Sequence, residues 1–351
     1  MFTFFIPLLQ KLKKNILPVV LIISLLLNLL LVYFLWRLDP PQTHPLSFSP
    51  KIKVATALPN VRAFLEGSVQ KRLKEYHNIT LEVLYLPGDS FFQTDSLLAN
   101  KEVNAKLDAH IHHLNIANSK LKLVDTPNQL TFIQATYLAK FGLFALKDQG
   151  FTNVSDLKTF KQTHPHEKLK ILISSDNFQK SLSLCVLEQL GIIKKKDSKQ
   201  ALTLQQSFEL YPSLFESAPG FPEIEYETAE LMEISSQFKN GNYHLCLQYP
   251  TLMGNLSNLV QSIATLQKPT DLKDPIYSYT ISLVARKDNE TSQEIKILQD
   301  VLKQDMIIKQ AQTDIFKEAN YYMIPSQDID SLSANIKATY LGKTTSAIRN
   351  A

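Results

Sequence analysis

Four residues with ligand chemistry crowd into one short stretch: Asp108, His110, His112 and His113, in LDAHIHHL. Imidazoles and carboxylates are zinc ligands, and on a strand positions 108, 110 and 112 share one face. A D-x-H-x-H run names none of the further ligands a zinc site needs. Three readings therefore stay open: a metal site, a ligand pocket contacted by His110, or histidines used in packing. No other metal-ligand motif accompanies the run, and neither a metal nor a cofactor is expected.

A second candidate lies in Ser174-Ser175-Asp176, where a strand pattern gives way to a helical one. Backbone N–H groups at a helix start can hold a carboxylate or phosphate, and Lys180 one turn later would reinforce such a site. Ordinary N-capping by Ser175 or Asp176 explains the same residues. Machinery for covalent or phosphate chemistry is missing. There is no G-x-S-x-G elbow, P-loop, dinucleotide glycine fingerprint or H-E-x-x-H, and the chain has nine glycines in all. The expectation is a binding protein rather than an enzyme.

These candidates sit in a chain that alternates strand and helix. IKVAT reads as a strand, and NVRAFLEGSVQKRLKEY places Val61, Phe64, Leu65, Val69, Leu73 and Tyr76 at helical spacing before the strand ITLEVLYL. Strand, helix, strand opens a parallel sheet. A helix is expected over 91–101, capped by Asp89 or Ser90. LDAHIHHL, KLKLVD and TFIQATYLAKFGLFAL (in two pieces) read as strands, and Ser155 caps a short helix. KLKILIS is a buried strand, followed by a helix ending at Gly191. EIEYE, a helix closed by Gly241, YHLCLQY, a helix after Thr251, the strand YSYTISLVARKD and two helices over 292–317 follow. The polar tail after Pro325 is weakly periodic and is expected to be loose or at best helical.

Ahead of this lies ILPVVLIISLLLNLLLVYFLW, Ile16 to Trp36, with no charge, lysines 11, 13 and 14 before it and Arg37 after it. About 20 apolar residues suffice to cross a hydrocarbon core of about 30 Å. The run is long for a cleaved signal and lacks a small-residue cleavage site, which favours a retained anchor. Basic residues before the span put the N-terminus inside and the rest outside, at the periplasm or cell exterior. Asp39 to Pro50 carries four prolines and reads as a spacer. Beyond position 50 remain 33 basic and 32 acidic residues, which gives no support for a nucleic-acid partner. Cys185 and Cys246 are either free thiols or one disulfide.

From about Lys51 to Pro325 the chain resembles the methionine-binding (MetQ/NlpA-type) substrate-binding lipoproteins of ABC importers. ALPNVRAFLEGSVQKRLKEYHNITLEVLYL is similar to that family's first strand-helix-strand, and NAKLDAHIHHL falls at its ligand-contacting stretch. TYLAKFGLFALKDQGFTNVSDLKTF, SSDNFQKSLSLCVLEQLGIIKKKD, EIEYETAELMEISSQFKNGNYHLCLQY and SLVARKDNETSQEIKILQDVL resemble later family segments in register. The resemblance implies an α/β, two-lobed periplasmic-binding-protein (type II) fold, here preceded by one N-terminal transmembrane helix that replaces the missing lipid-bearing cysteine. Lobe 1 would comprise residues 51–136 and 250–325, and lobe 2 residues 137–249, with 326–351 a tail. The implied function is solute binding for an ABC permease and ATPase, without catalysis. His110 stands at the family's pocket histidine. Asp108 replaces an aromatic residue, Ala139 a tyrosine, Leu182 the carboxylate-gripping arginine and Tyr249 an asparagine. Leucine cannot supply bidentate charge-assisted bonds, which argues against methionine itself. The expected ligand is an amino acid or related small solute, amine-bearing if Asp108 faces the cleft. The expected pocket is Asp108, His110, Tyr137, Ser175, Lys180 and Tyr249. A repurposed binding fold acting through protein contacts is the alternative.

Overall fold

The computed structural model describes residues 50–87, 90–197 and 210–340. The expected anchor from Ile16 to Trp36, the spacer before Pro50 and the end of the tail lie outside the described residues. Among the described residues no helix is long and apolar enough to cross a membrane.

The chain begins with β1 (Lys51–Thr56), α1 (Pro59–Phe64), α2 (Gln70–His77) and β2 (Thr80–Tyr85). A π-helical turn, Leu65–Val69, joins the two helices where Gly67 leaves helical geometry. The predicted apolar face is buried at Val61, Phe64, Leu65, Val69 and Leu73. Tyr76 departs from it: the ring is 64% exposed, with the Arg72 guanidinium 3.4 Å above its centre. Next come α3 (Phe91–Ala99), β3 (Ala105–Ala109), α4 (Ile111–Lys120) and β4 (Leu130–Ala139).

The chain then builds a second sheet with β5 (Gly142–Leu146), α5 (Val154–Thr163), β6 (Leu169–Ser174) and α6 (Asn177–Gln189). A short pair β7 (Ile193–Lys195) and β8 (Phe215–Ser217) follows, then β9 (Ile224–Ala229), α7 (Ile234–Asn240), β10 (Leu245–Gln248) and β11 (Val260–Thr265). It returns through β12 (Ile281–Arg286), α8 (Gln293–Leu302), α9 (Asp305–Asp314), β13 (Tyr321–Met323) and α10 (Ser326–Tyr340).

Two sheets result, ordered β13-β4-β12-β3-β1-β2 and β11-β5-β10-β6-β9. Their strand plans correspond. In the first, β1 pairs parallel with β2 and β3, and β12 enters antiparallel between β3 and β4. In the second, β6 pairs parallel with β9 and β10, and β5 enters antiparallel between β10 and β11. Each inserted strand is the first the chain forms after arriving from the other sheet. The passages are residues 140–141 and 266–280. Each sheet carries its own apolar core, one around Ile52, Phe64, Leu107 and Phe132, the other around Leu143, Ile171, Leu184 and Leu247.

Several expectations need correction. LDAHIHHL is not one strand: β3 stops at Ala109, and His110 caps α4. KLKLVD forms turns instead of a strand, with Lys122 and Asp125 in left-handed backbone at φ 54° and 61°. The cap of α5 is Asn153, in a capping box with Asp156, rather than Ser155. Two 3-10 turns, Pro250–Leu252 and Gly254–Leu256, replace the helix expected after Thr251. The return to the first sheet comes later than residue 250, because β11 first supplies an edge strand for β5. Met253, Leu256 and Val260 bury with Phe238 and Cys246. The tail is packed through Tyr340: α10 places Ile329, Leu332, Ile336 and Tyr340, three or four residues apart, in the first core. Ser333 Oγ accepts a hydrogen bond from the Ala135 amide at 3.1 Å, tying α10 to β4. Cys185 and Cys246 are free thiols.

Candidate functional site

The ends of β3 and β6 each run straight into a helix start, and those two starts meet. His110 follows β3 in extended backbone, and its Nδ1 accepts from the His113 amide at 3.3 Å. This local bond explains why the strand alternation breaks at residue 110. On the second sheet Asp176 caps α6, its Oδ1 accepting from the Phe178 and Gln179 amides at 3.0 Å each. The cap reading of Ser175 and Asp176 therefore holds for Asp176, and its carboxylate occupies those amides itself.

Asp108 is not a ligand group on a cleft wall. Its side chain is fully buried and lies 2.9 Å from Lys106 Nζ, which also reaches Asp95 Oδ1 at 2.5 Å. The other Asp108 oxygen accepts from the Ala57 amide at 3.0 Å and from Thr94 Oγ1 at 2.9 Å. Asp95 completes the network through His113 Nε2 at 2.7 Å. Burial raises the Asp95 carboxyl, but the His113 bond and the Lys106 charge outweigh it, and the net shift is downward. The network locks the turn after β1, the helix α3 and the strand β3 to one another.

Tyr137 is likewise core. It is 2% exposed, packs on Phe316 at 4.5 Å, and its hydroxyl accepts from Asn60 Nδ2 at 3.3 Å. Ser175 is half-buried and donates to Glu230 Oε1 at 3.1 Å. Lys180, also half-buried, lies 3.4 Å from Asn177 Oδ1. Tyr249 packs edge-on against Phe141 at 4.9 Å and donates to Gln179 Oε1 at 2.8 Å, on the first turn of α6. Leu182 is 1% exposed and belongs to the second core, so a cleft cation on α6 can only be Lys180.

Of the six expected residues the fold thus gathers His110, Lys180, Ser175 and Tyr249 around the start of α6. Asp108 and Tyr137 are spent on internal structure. What sequence reasoning missed is Phe178. Its ring stacks on His112, centroids 5.6 Å apart and planes within 16°, and meets His110 edge-on at 5.7 Å. Tyr279 lies 5.6 Å from His110 and 5.0 Å from His112, and its hydroxyl donates to the Phe178 carbonyl at 3.3 Å. Tyr340, from α10, meets His112 edge-on at 5.6 Å. His112 Nε2 is 2.7 Å from Ser278 Oγ. The one sequence signal for Phe178 was a large apolar residue two positions after an N-cap, where a helix start usually faces solvent.

The meeting point is therefore aromatic and uncharged. Burial first, then the His113 and Lys106 charges, push the His110 imidazole down to about 3, and burial takes His112 in the same direction. Both rings are neutral near pH 7. Such a surface suits an apolar or flat group far better than an ion, and Lys180 is the cation nearest in sequence to it. Among the described residues no group of three or more His, Cys, Asp or Glu side chains could hold a metal ion. Two cavities, of about 290 Å³ beside Gly67, Lys71 and Asp314 and about 220 Å³ beside Lys195, Leu210 and Phe215, lie away from this junction.

Comparison with known proteins bears on what such a junction does. The NlpA lipoprotein family matches residues 52–207. No curated protein matches the chain in sequence. Among solved structures, a YaeC-family lipoprotein from Enterococcus faecalis is 19% identical with TM-score 0.58, covering 77% of this chain and 98% of its own. A periplasmic substrate-binding protein of an ABC transporter from Coxiella burnetii is 16% identical with TM-score 0.56, covering 77% and 98%. A nutrient-binding protein from Burkholderia cenocepacia, bound to methionine, is 16% identical with TM-score 0.56, covering 78% and 99%. At these identities the structures speak for the fold: a mixed α/β fold shared with substrate-binding proteins. The chain resembles the methionine-binding, NlpA-type substrate-binding lipoproteins, a family of binding proteins and not of enzymes.

Proposed function

We propose that this protein is an extracytoplasmic solute-binding protein of an ABC importer, held at the membrane by its own N-terminal span and closing two lobes on a small solute. Residues 51–136 with 281–340 would form one lobe and 142–266 the other. The observation that supports it best is the junction itself. Two sheets of one strand plan bring the helix starts after β3 and β6 face to face, which is where open α/β sheets bind ligands. Ligand binding would stabilise the closed form, which a permease then recognises, and the protein performs no reaction.

The pocket in this reading is His110, Ser175, Lys180 and Tyr249, joined by Phe178 and Tyr279. Asp108 and Tyr137 support it from behind. A neutral aromatic wall, with Lys180 on the first turn of α6, favours a solute carrying an apolar or aromatic group and a single anionic end, such as an uncharged-side-chain amino acid. The test is thermal unfolding of the full-length protein in detergent against amino acids, with calorimetry on any hit. A solute that raises the melting point and loses its effect in Lys180→Ala supports the reading. A flat response across the panel in both wild type and Phe178→Ala overturns it.

One observation favours a second reading, a binding fold repurposed for protein contacts. The Phe178 ring already lies against both histidines, as a solute's side chain would. In that case the flat response would persist with Phe178→Ala.

A further inference from the structure

The contact between Phe178 and the histidine pair is made across the two sheets. His110 and His112 belong to the start of α4, whose Ile111, Leu114 and Ala117 bury in the first core. Phe178 belongs to the start of α6 and packs with the second core. The backbone that carries the ring is held on both sides: the Phe178 amide donates to Asp176 Oδ1 at 3.0 Å, and the Phe178 carbonyl accepts from the Tyr279 hydroxyl at 3.3 Å. A phenyl ring set against two neutral imidazoles satisfies the aromatic preference of the site without any solute. The fully buried face of α6 is supplied by Leu182, Leu184, Val186 and Leu187, whereas Phe178 is only partly buried and packs at the margin of the second core.

We infer that Phe178 is a built-in occupant of the cleft, a latch that holds the two sheets together in the empty protein and that an incoming solute must displace. The inference rests on the reading of this junction as the binding site. It carries two consequences. With the ring seated the two sheets are held together without help from a solute, so a closed form does not by itself report one. Apparent affinity for any solute is lowered by the fraction of molecules in which the ring has left the site.

The experiment compares full-length wild type, Phe178→Ala and Phe178→Leu in detergent by amide hydrogen exchange, with L-methionine as the added probe. In the alanine variant, segments 110–113 and 276–280, which face the ring from outside α6, are expected to exchange about tenfold faster, with β1 and β6 unchanged. Phe178→Leu, which keeps apolar bulk on α6, is expected to give the same opening and controls for loss of fold. Exchange that rises only within α6, or uniformly over both cores, makes Phe178 ordinary packing and overturns the latch. With L-methionine, the alanine variant is expected to bind at least about tenfold more tightly than wild type. Unchanged or weaker binding against a detectable wild-type signal also overturns the latch. Local opening with no binding of L-methionine or any other amino acid instead retains the latch and overturns the solute-binding reading.

Discussion

The two sheets share a strand plan but are braced differently where they face each other. In the first, three charges, Asp95, Lys106 and Asp108, are buried to 0% side-chain exposure beneath the start of α4. In the second, the described ion pairs all have at least one partner on the surface, and the start of α6 is fixed by the Asp176 cap and the Tyr249–Gln179 bond. A buried network is unforgiving: every member must be paired, so Ala57, Thr94 and Asp108 are held in one arrangement. A capped helix packed on an apolar core can shift slightly without stranding a charge. The first sheet thus provides a fixed wall for the cleft, and the second an adjustable one.

Breaking the fixed wall has the largest expected effect. Lys106→Met leaves two carboxylates buried without their cation and should cost about 3–5 kcal/mol in urea unfolding. The loss should shrink toward acid pH, because the stranded Asp95 carboxyl then gains from protonation. Adding Asp95→Asn and Asp108→Asn should restore most of the stability. A cost near zero for the single change would mean the network contributes no rigidity.

A cut of similar depth in the adjustable wall should behave differently. Leu184→Ala empties part of the second core and should cost about 2–5 kcal/mol. That cost should be flat from pH 5 to pH 9, since no titrating group loses its partner. A strong pH dependence in this variant would remove the contrast between the walls.

The junction itself titrates. In the folded chain His110 is held at about 3, against an ordinary value of 6.5, so the unfolded chain binds more protons between those values. Stability is therefore full above about pH 6.5 and falls as pH drops toward 3, with Asp95 adding its own loss below its ordinary 3.8. His110→Asn keeps an N-capping group but has no imidazole to titrate, so its melting point should fall less than wild type between pH 6.5 and 4. Identical acid limbs would show that the buried neutral imidazole is not the source.

How much of this was legible beforehand follows from the kind of signal each part leaves. Strand and helix alternation wrote both sheets plainly, because apolar periodicity reports burial directly. The buried network did not show, since Lys106 and Asp108 in a β3 stretch look like the solvent face of an alternating strand. Only tertiary pairing with Asp95 reverses that reading. The helix start at His110 was hidden because a histidine can cap through Nδ1 yet is also a plausible strand residue. The α10 helix was masked by polar residues between Ile329, Leu332, Ile336 and Tyr340. Leu182 misled for a related reason: a resemblance fixes register to within a residue or two, and on a helix two residues separate the cleft from the core.

The smallest effect discriminates most finely. Asp176→Ala and Asn153→Ala each remove one N-cap from a helix of the second sheet, and each should cost about 1 kcal/mol. Their surroundings differ. Asn153 and Asp156 form an exposed capping box remote from His110, whereas the amides that Asp176 holds are those of Phe178 and Gln179. Gln179 in turn receives the Tyr249 hydroxyl. If the second wall is positioned by its cap, the two variants should match in melting point while only Asp176→Ala quickens hydrogen exchange over residues 110–113 on the opposite sheet. Equal exchange in both would mean that packing of α6, and not its cap, aims Phe178 at the histidines.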